Sequence, residues 1–130
     1  MRTQLTLMIA PALALAACNS EPQPRDTGTK IAVRSAEQDA LHQLNALDLS
    51  IALKRAIHAS GYRCQRVETA GFVQGHENLD MWTARCSEGR NWAIFAGPDG
   101  SAQVRDCIDV ARAGIPECRI TKQPKDAPAG

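Results

Sequence analysis

MWTARCSEGRNWAIFAGPDGSAQVRDC, Met81 to Cys107, is the stretch that decides the fold. Three short apolar-rich runs, near Met81–Cys86, Asn91–Ala96 and Ser101–Cys107, are separated by turn signals at Ser87–Arg90 and Gly97–Gly100. Gly-Pro-Asp-Gly is the stronger of the two, because proline presets φ and glycine accepts positive φ. The stretch reads as an antiparallel β-meander.

Upstream of it, Tyr62–Thr69 suits a further strand by its Tyr, Val and Thr. Ala70–Asp80, with Gly71, Gly75 and Asn78, reads as a longer connection. Earlier still the period becomes helical. Ser35 with Gln38 three residues on forms a capping box ahead of Ala40, Leu41, Leu44 and Leu47. Leu49, Ala52, Leu53, Ala56 and Ile57 then recur at i, i+3, i+4, i+7 and i+8, with Asp48 as a possible cap and Gly61 as the stop. The expected fold is α+β: an N-terminal helix, or two helical segments, packed on a small antiparallel meander of three to four strands, stapled by disulfides.

The first residues set the compartment. Met1-Arg2 is a short positive start, and the apolar run from Leu5 to Ala17 is too short to span a bilayer. Residues 1–17 therefore read as a signal peptide. Its end, Leu15-Ala16-Ala17-Cys18, resembles the lipobox of bacterial lipoproteins. The resemblance covers residues 1–18 and implies cleavage after Ala17 and acylation of Cys18 through its sulfur and amino group. In such lipoproteins an aspartate after the cysteine retains the protein in the inner membrane. Asn19 stands there instead, which implies the periplasmic face of the outer membrane. Residues 18–34 then comprise the lipidated cysteine and a flexible tether, whose stretch Asn19–Lys30 holds two prolines, a glycine and no aliphatic residue. A segment of that length spans roughly 20 Å. Residues 35–120 form a single small domain, and 121–130 read as a disordered tail.

Removing residues 1–17 leaves 113 residues and discards Arg2, so 14 Lys+Arg face 14 Asp+Glu. A neutral chain without a basic run gives nucleic acid no foothold, and it leaves membrane contact to the lipid on Cys18.

Without Cys18 there remain Cys64, Cys86, Cys107 and Cys118, an even number in an exported chain, with three possible pairings. Simple two-residue hairpins centred between Glu88 and Gly89 and between Pro98 and Asp99 put Cys86 opposite Asn91, and Asn91 opposite Asp106. Cys86 and Cys107 then lie about 10 Å apart, two strand spacings, out of disulfide reach. A connection centred near Gly75 sets Cys64 opposite Cys86. The expected bridges are Cys64–Cys86 and Cys107–Cys118.

The same register sorts the side chains. Trp82, Ala84, Cys86, Ala93, Phe95, Ala102 and Val104 fall on the face expected to meet the helix. Met81, Thr83, Arg85, Trp92, Ile94, Gln103, Arg105 and Cys107 fall on the other. There Trp92, Ile94, Arg85, Arg105 and Thr83 form a candidate partner surface of interface-like composition. The alternative is that Ile108, Val110 and Ile115 of the following segment cover Trp92.

Catalytic patterns are absent. Ser87 and Ser101 lack a nucleophile elbow, Gly97 and Gly100 have no Walker lysine, and Asp106 and Asp109 suit surface charge. His76 and Glu77 offer metal ligands, but Asp80 stands where HExxH needs its second histidine. No cofactor is implied. The function expected is that of an envelope binding or accessory module with a periplasmic protein partner rather than an enzyme. The alternatives are an inhibitor that inserts residues 70–80 or 97–100 into an exported enzyme, and a small metal-binding protein or enzyme.

Overall fold

The computed structural model describes residues 34–127; the expected signal peptide, Cys18 and the expected tether up to residue 33 lie outside them. The elements are α1 (Ala36–Gln43), α2 (Ala46–Ala59), β1 (Val67–His76), β2 (Leu79–Cys86), β3 (Asn91–Ala96), β4 (Ala102–Asp106) and α3 (Cys107–Arg112). The four strands form one antiparallel sheet in the order β1-β2-β3-β4.

The helices start and stop where local chemistry directs. Ser35 Oγ accepts from the Gln38 amide at 3.2 Å, and Gln38 Oε1 accepts from the Ser35 amide at 3.1 Å. The buried Gln38 then spends its Nε2 on the carbonyls of Asn78 and Ala96, at 3.2 and 3.1 Å, tying α1 to two points of the sheet. The apolar period that ran on to Leu47 is broken by extended backbone at Leu44. Asn45, not Asp48, caps α2, accepting from the Asp48 amide at 2.8 Å, and Leu47 is exposed. At the far end Gly61 takes φ +84°, with Tyr62 N–H on Ile57 O and Gly61 N–H on His58 O, a Schellman motif.

Leu49, Leu53 and Ile57 bury one stripe of α2 against Trp82, Ala84, Trp92, Ile94 and Val104. Full burial of such a side chain contributes about 1.5–3 kcal/mol, so this stripe anchors the helix layer. The sheet's opposite face is also covered. Val73, Met81, Ala93 and Phe95 pack beneath Val110 of α3, with Ile115 and the Cys107–Cys118 bridge alongside.

Both disulfides pair as expected, Cys64–Cys86 with Cα atoms 5.5 Å apart and Cys107–Cys118 with 5.9 Å. The strand registers differ from the simple ones. Cys86 N–H reaches Arg90 O while Gly89 N–H reaches Cys86 O, with Gly89 at φ +89°. Gly97 N–H reaches Ser101 O while Gly100 N–H reaches Gly97 O, with Gly100 at φ +78°. Each is a three-residue hairpin closed by a left-handed glycine bulge, which inserts one residue more than a two-residue turn. Ala84 therefore faces Trp92, and Trp92 faces Asp106. A one-residue slip moves a whole strand's side chains across the sheet. Trp92 and Ile94 lie in the α2 core, and Ala93 and Phe95 on the opposite face, the reverse of the expectation. The second slip cancels the first, so Val104 keeps its expected face.

Residues 70–80 are not a loop. β1 runs to His76, and a two-residue turn, Glu77–Asn78, with Glu77 at φ 57°, returns it to Leu79. Cys64 precedes β1, and the residue paired with Cys86 is Val67; the bridge reaches in from outside the ladder. The domain also extends past residue 120, since Lys122 pairs with Phe72 and the Thr121 amide donates to Phe72 O at 2.8 Å.

Candidate functional site

The expected partner surface is not assembled as drawn. Trp92 is 2% exposed and Ile94 1%, and Thr83 is buried with its hydroxyl donating to Trp92 O at 3.0 Å. Arg85 is exposed beside Glu68, 3.9 Å away. The segment after Cys107 does act as a lid, as one alternative had it, but it covers Phe95 and Met81 rather than Trp92.

Two of those residues, Trp92 and Arg105, instead line a cleft of about 530 Å³ with Tyr62, Arg90, Ile108 and Arg112. Each wall follows from a local device. The Schellman motif that ends α2 delivers Tyr62, whose ring centroid lies 4.5 Å from that of Trp92. The β2–β3 turn delivers Arg90, whose guanidinium carbon sits 5.5 Å from the centre of the Trp92 ring. β4 brings Arg105 and Asp106, and Asp106 caps α3 by accepting from the Ile108 amide at 2.9 Å. α3 then presents Ile108 outward at 62% exposure, while Tyr62 is 42% exposed.

The cleft also holds Asp106 and Asp109, so three guanidiniums meet two carboxylates. Asp106 is occupied as a helix cap, and Asp109 lies 3.8 Å from Arg112 Nη1. Arg90 and Arg105 make no ion pair among the described residues. The Trp92 indole Nε1 is buried without a partner.

Tyr62, Arg90 and Arg112 were not placed at this site by the sequence reading, and Ile108 entered it only as a cover for Trp92, because the residues meet only after α2, β3 and α3 converge. The stop at Gly61 and the apolar Ile108 were the available signals.

Two further clusters bear on chemistry. His42 Nε2 lies 2.9 Å from Asp80 Oδ2, both side chains are buried, and the imidazole is packed between Phe72 and Trp82. No hydroxyl or thiol bonds to a histidine among the described residues. His76 lies near Phe95, and Glu77 is in the turn. Among the described residues the one three-member group with ligand spacing is Cys64, Cys86 and Glu88, whose sulfurs are already bonded to each other. A separate groove of about 390 Å³ between the helices and the β3–β4 hairpin is lined chiefly by Ala40, Leu41, Ala52, Ala56 and Ala102. Glu37 is its one charged residue.

No helix among the described residues is long and apolar enough to cross a membrane. No protein-family model, curated protein or solved structure matches the chain.

Proposed function

We propose that this chain is a lipid-anchored binding module of the bacterial cell envelope. In this reading acylated Cys18 holds it on the periplasmic face of the outer membrane, and a protein partner docks in the cleft beside Tyr62 and Ile108. The observation that carries the docking half is the cleft itself: exposed Tyr62 and Ile108 stand around a concave surface with two arginines that make no ion pair among the described residues. Tyrosine and arginine are the residue types that dominate binding energy at interfaces. The lipobox resemblance supports the anchoring half. Residues 70–80, the longer segment of the inhibitor alternative, are strand and tight turn.

A photocrosslinking residue at position 108 of the full-length lipoprotein in cells tests the docking. A discrete protein adduct is expected from position 108, absent from position 119 and lost with Arg105→Glu. Equal adducts at both positions, or none at 108, overturn the reading. Cys18→Ser is expected to abolish acylation and membrane retention; lipid-mediated retention of that variant overturns the anchor.

A further inference from the structure

From the charge balance of the cleft, and resting on its reading as a docking site, we infer that its occupant is a carboxylate-bearing segment of a protein, with an Asp or Glu set against Arg90 and Arg105 and a neighbouring apolar side chain set on Tyr62 and Ile108. Two of the cleft's charges are already engaged. Asp106 accepts from the Ile108 amide at 2.9 Å, and Asp109 is matched by Arg112 at 3.8 Å. Arg90 and Arg105 keep their charge uncompensated among the described residues.

Arg90 lies over the Trp92 ring at 5.5 Å. A guanidinium held against an aromatic face retains the N–H donors along its edge, and that planar fork matches a carboxylate. Tyr62, 4.5 Å from Trp92 between ring centroids, extends the aromatic wall toward solvent. Ile108, 62% exposed, supplies an apolar contact within the same cleft. One or two negative charges next to an apolar group complement this arrangement.

A polyanion does not. With three guanidiniums against two carboxylates the cleft has one net positive charge, enough for a single carboxylate and too little for an extended run of phosphates, and the chain after residue 17 carries no net charge to hold one. An anionic bilayer meets the same objection, because its attraction grows with the number of basic groups near the surface.

The test uses the full-length acylated protein in zwitterionic phosphatidylcholine nanodiscs. The probe is a blocked, dye-labelled peptide alternating Leu and Glu, compared with its Leu–Gln counterpart by fluorescence anisotropy at low salt. The Leu–Glu peptide is expected to bind about tenfold more tightly or better, with Arg90→Gln and Arg105→Gln each weakening it about tenfold. Arg119→Gln is expected to leave it unchanged, and circular dichroism verifies that each variant is folded. Equal binding of the two peptides, or indifference to both arginine substitutions, overturns the inference. Arginine-dependent binding of a short single-stranded DNA or of phosphatidylglycerol vesicles at comparable strength also overturns it. If the adduct at position 108 forms while the Leu–Glu peptide does not bind, the partner site stands and its carboxylate chemistry falls. If the adduct fails, the site itself falls.

Discussion

His42 Nε2 lies 2.9 Å from Asp80 Oδ2, and this one contact joins α1 to β2 across the helix–sheet layer. Arg34, at 3.2 Å, shares the same carboxylate oxygen. With its proton on Nε2 the imidazole donates to the carboxylate. Asp80→Ala strips that acceptor from a buried donor and is expected to cost about 3 kcal/mol. Asp80→Asn keeps an acceptor oxygen and is expected to cost about 1 kcal/mol. Urea unfolding followed by tryptophan fluorescence measures both, and equal costs would show that the oxygen is not what matters.

Trp92 and Ile108 line the same cleft yet differ in what their loss does. Trp92 is 2% exposed within the α2 core, so Trp92→Ala is expected to cost about 3–5 kcal/mol as a cavity-forming change. Ile108, 62% exposed, is expected to shift stability by less than about 0.5 kcal/mol when changed to Ala. Thermal denaturation of the two variants separates fold from surface. Ile108→Ala is therefore the usable probe of partner binding, and Trp92→Ala is not.

The two disulfides staple different layers. Cys64–Cys86 joins the approach to β1 to the end of β2, beside the α2 core. Cys107–Cys118 closes the segment that covers Phe95 and Met81. Loops of these lengths make each bridge worth about 3 kcal/mol in the chain-entropy account. Replacing Cys107 and Cys118 together by Ala is expected to raise hydrogen exchange in α3 and residues 113–122 first. Trp82 and Trp92 lie on the other face, so their emission is expected to change little before global unfolding. An immediate red shift would contradict that layering.

The capping box at Ser35, the stripe Leu49–Leu53–Ile57, the stop at Gly61 and the meander were legible because each is set by chemistry within a few residues; the Cys64–Cys86 pairing came out as expected although the register it was drawn from did not, since Val67 stands opposite Cys86. The register of β3 was not legible. Ser87-Glu88-Gly89-Arg90 and Gly97-Pro98-Asp99-Gly100 announce turns, but the bulge that adds a residue depends on which glycine takes positive φ. Alternation offered no check, because both faces of β3 are buried from Trp92 to Ala96. The partner surface was misplaced for the same reason: Trp92 was assigned to the wrong face, and Tyr62 and Ile108 come beside it only through the end of α2 and the start of α3. In β1, Gly71 and Gly75 read as loop punctuation although the strand passes through them.

Asp99 in the β3–β4 turn titrates below the usual carboxylate range. The Ser101 hydroxyl, 2.6 Å from Oδ1, is the larger cause, and the Ser101 amide, at 3.0 Å, adds to it. A depressed folded-state value contributes stability at pH above the unfolded value, and that contribution is lost as pH falls through the folded one. Ser101→Ala removes the larger cause, so the Asp99 midpoint is expected to move upward and the acid-side loss to begin at higher pH. Carboxyl-carbon NMR titration of the two proteins measures this. An unmoved midpoint would assign the shift to something other than the hydroxyl.

Gly71 sits on β1 where the C-terminal segment crosses. A Cβ there would lie 2.5 Å from Ile120 Cγ2 and 3.1 Å from the Lys122 carbonyl oxygen. Ile120 is β-branched and Lys122 is held by its pairing with Phe72, so neither yields freely. The close approach explains why glycine occupies a strand interior, where it otherwise weakens the ladder. Gly71→Ala is expected to cost about 1–3 kcal/mol by overpacking, and Gly71→Val more. The loss should appear first as faster exchange of the Phe72 and Thr121 amides, which bond across this crossing, at 3.0 Å to Lys122 O and 2.8 Å to Phe72 O. If those amides keep their protection while stability falls, the strain lies within β1 and not against the crossing segment.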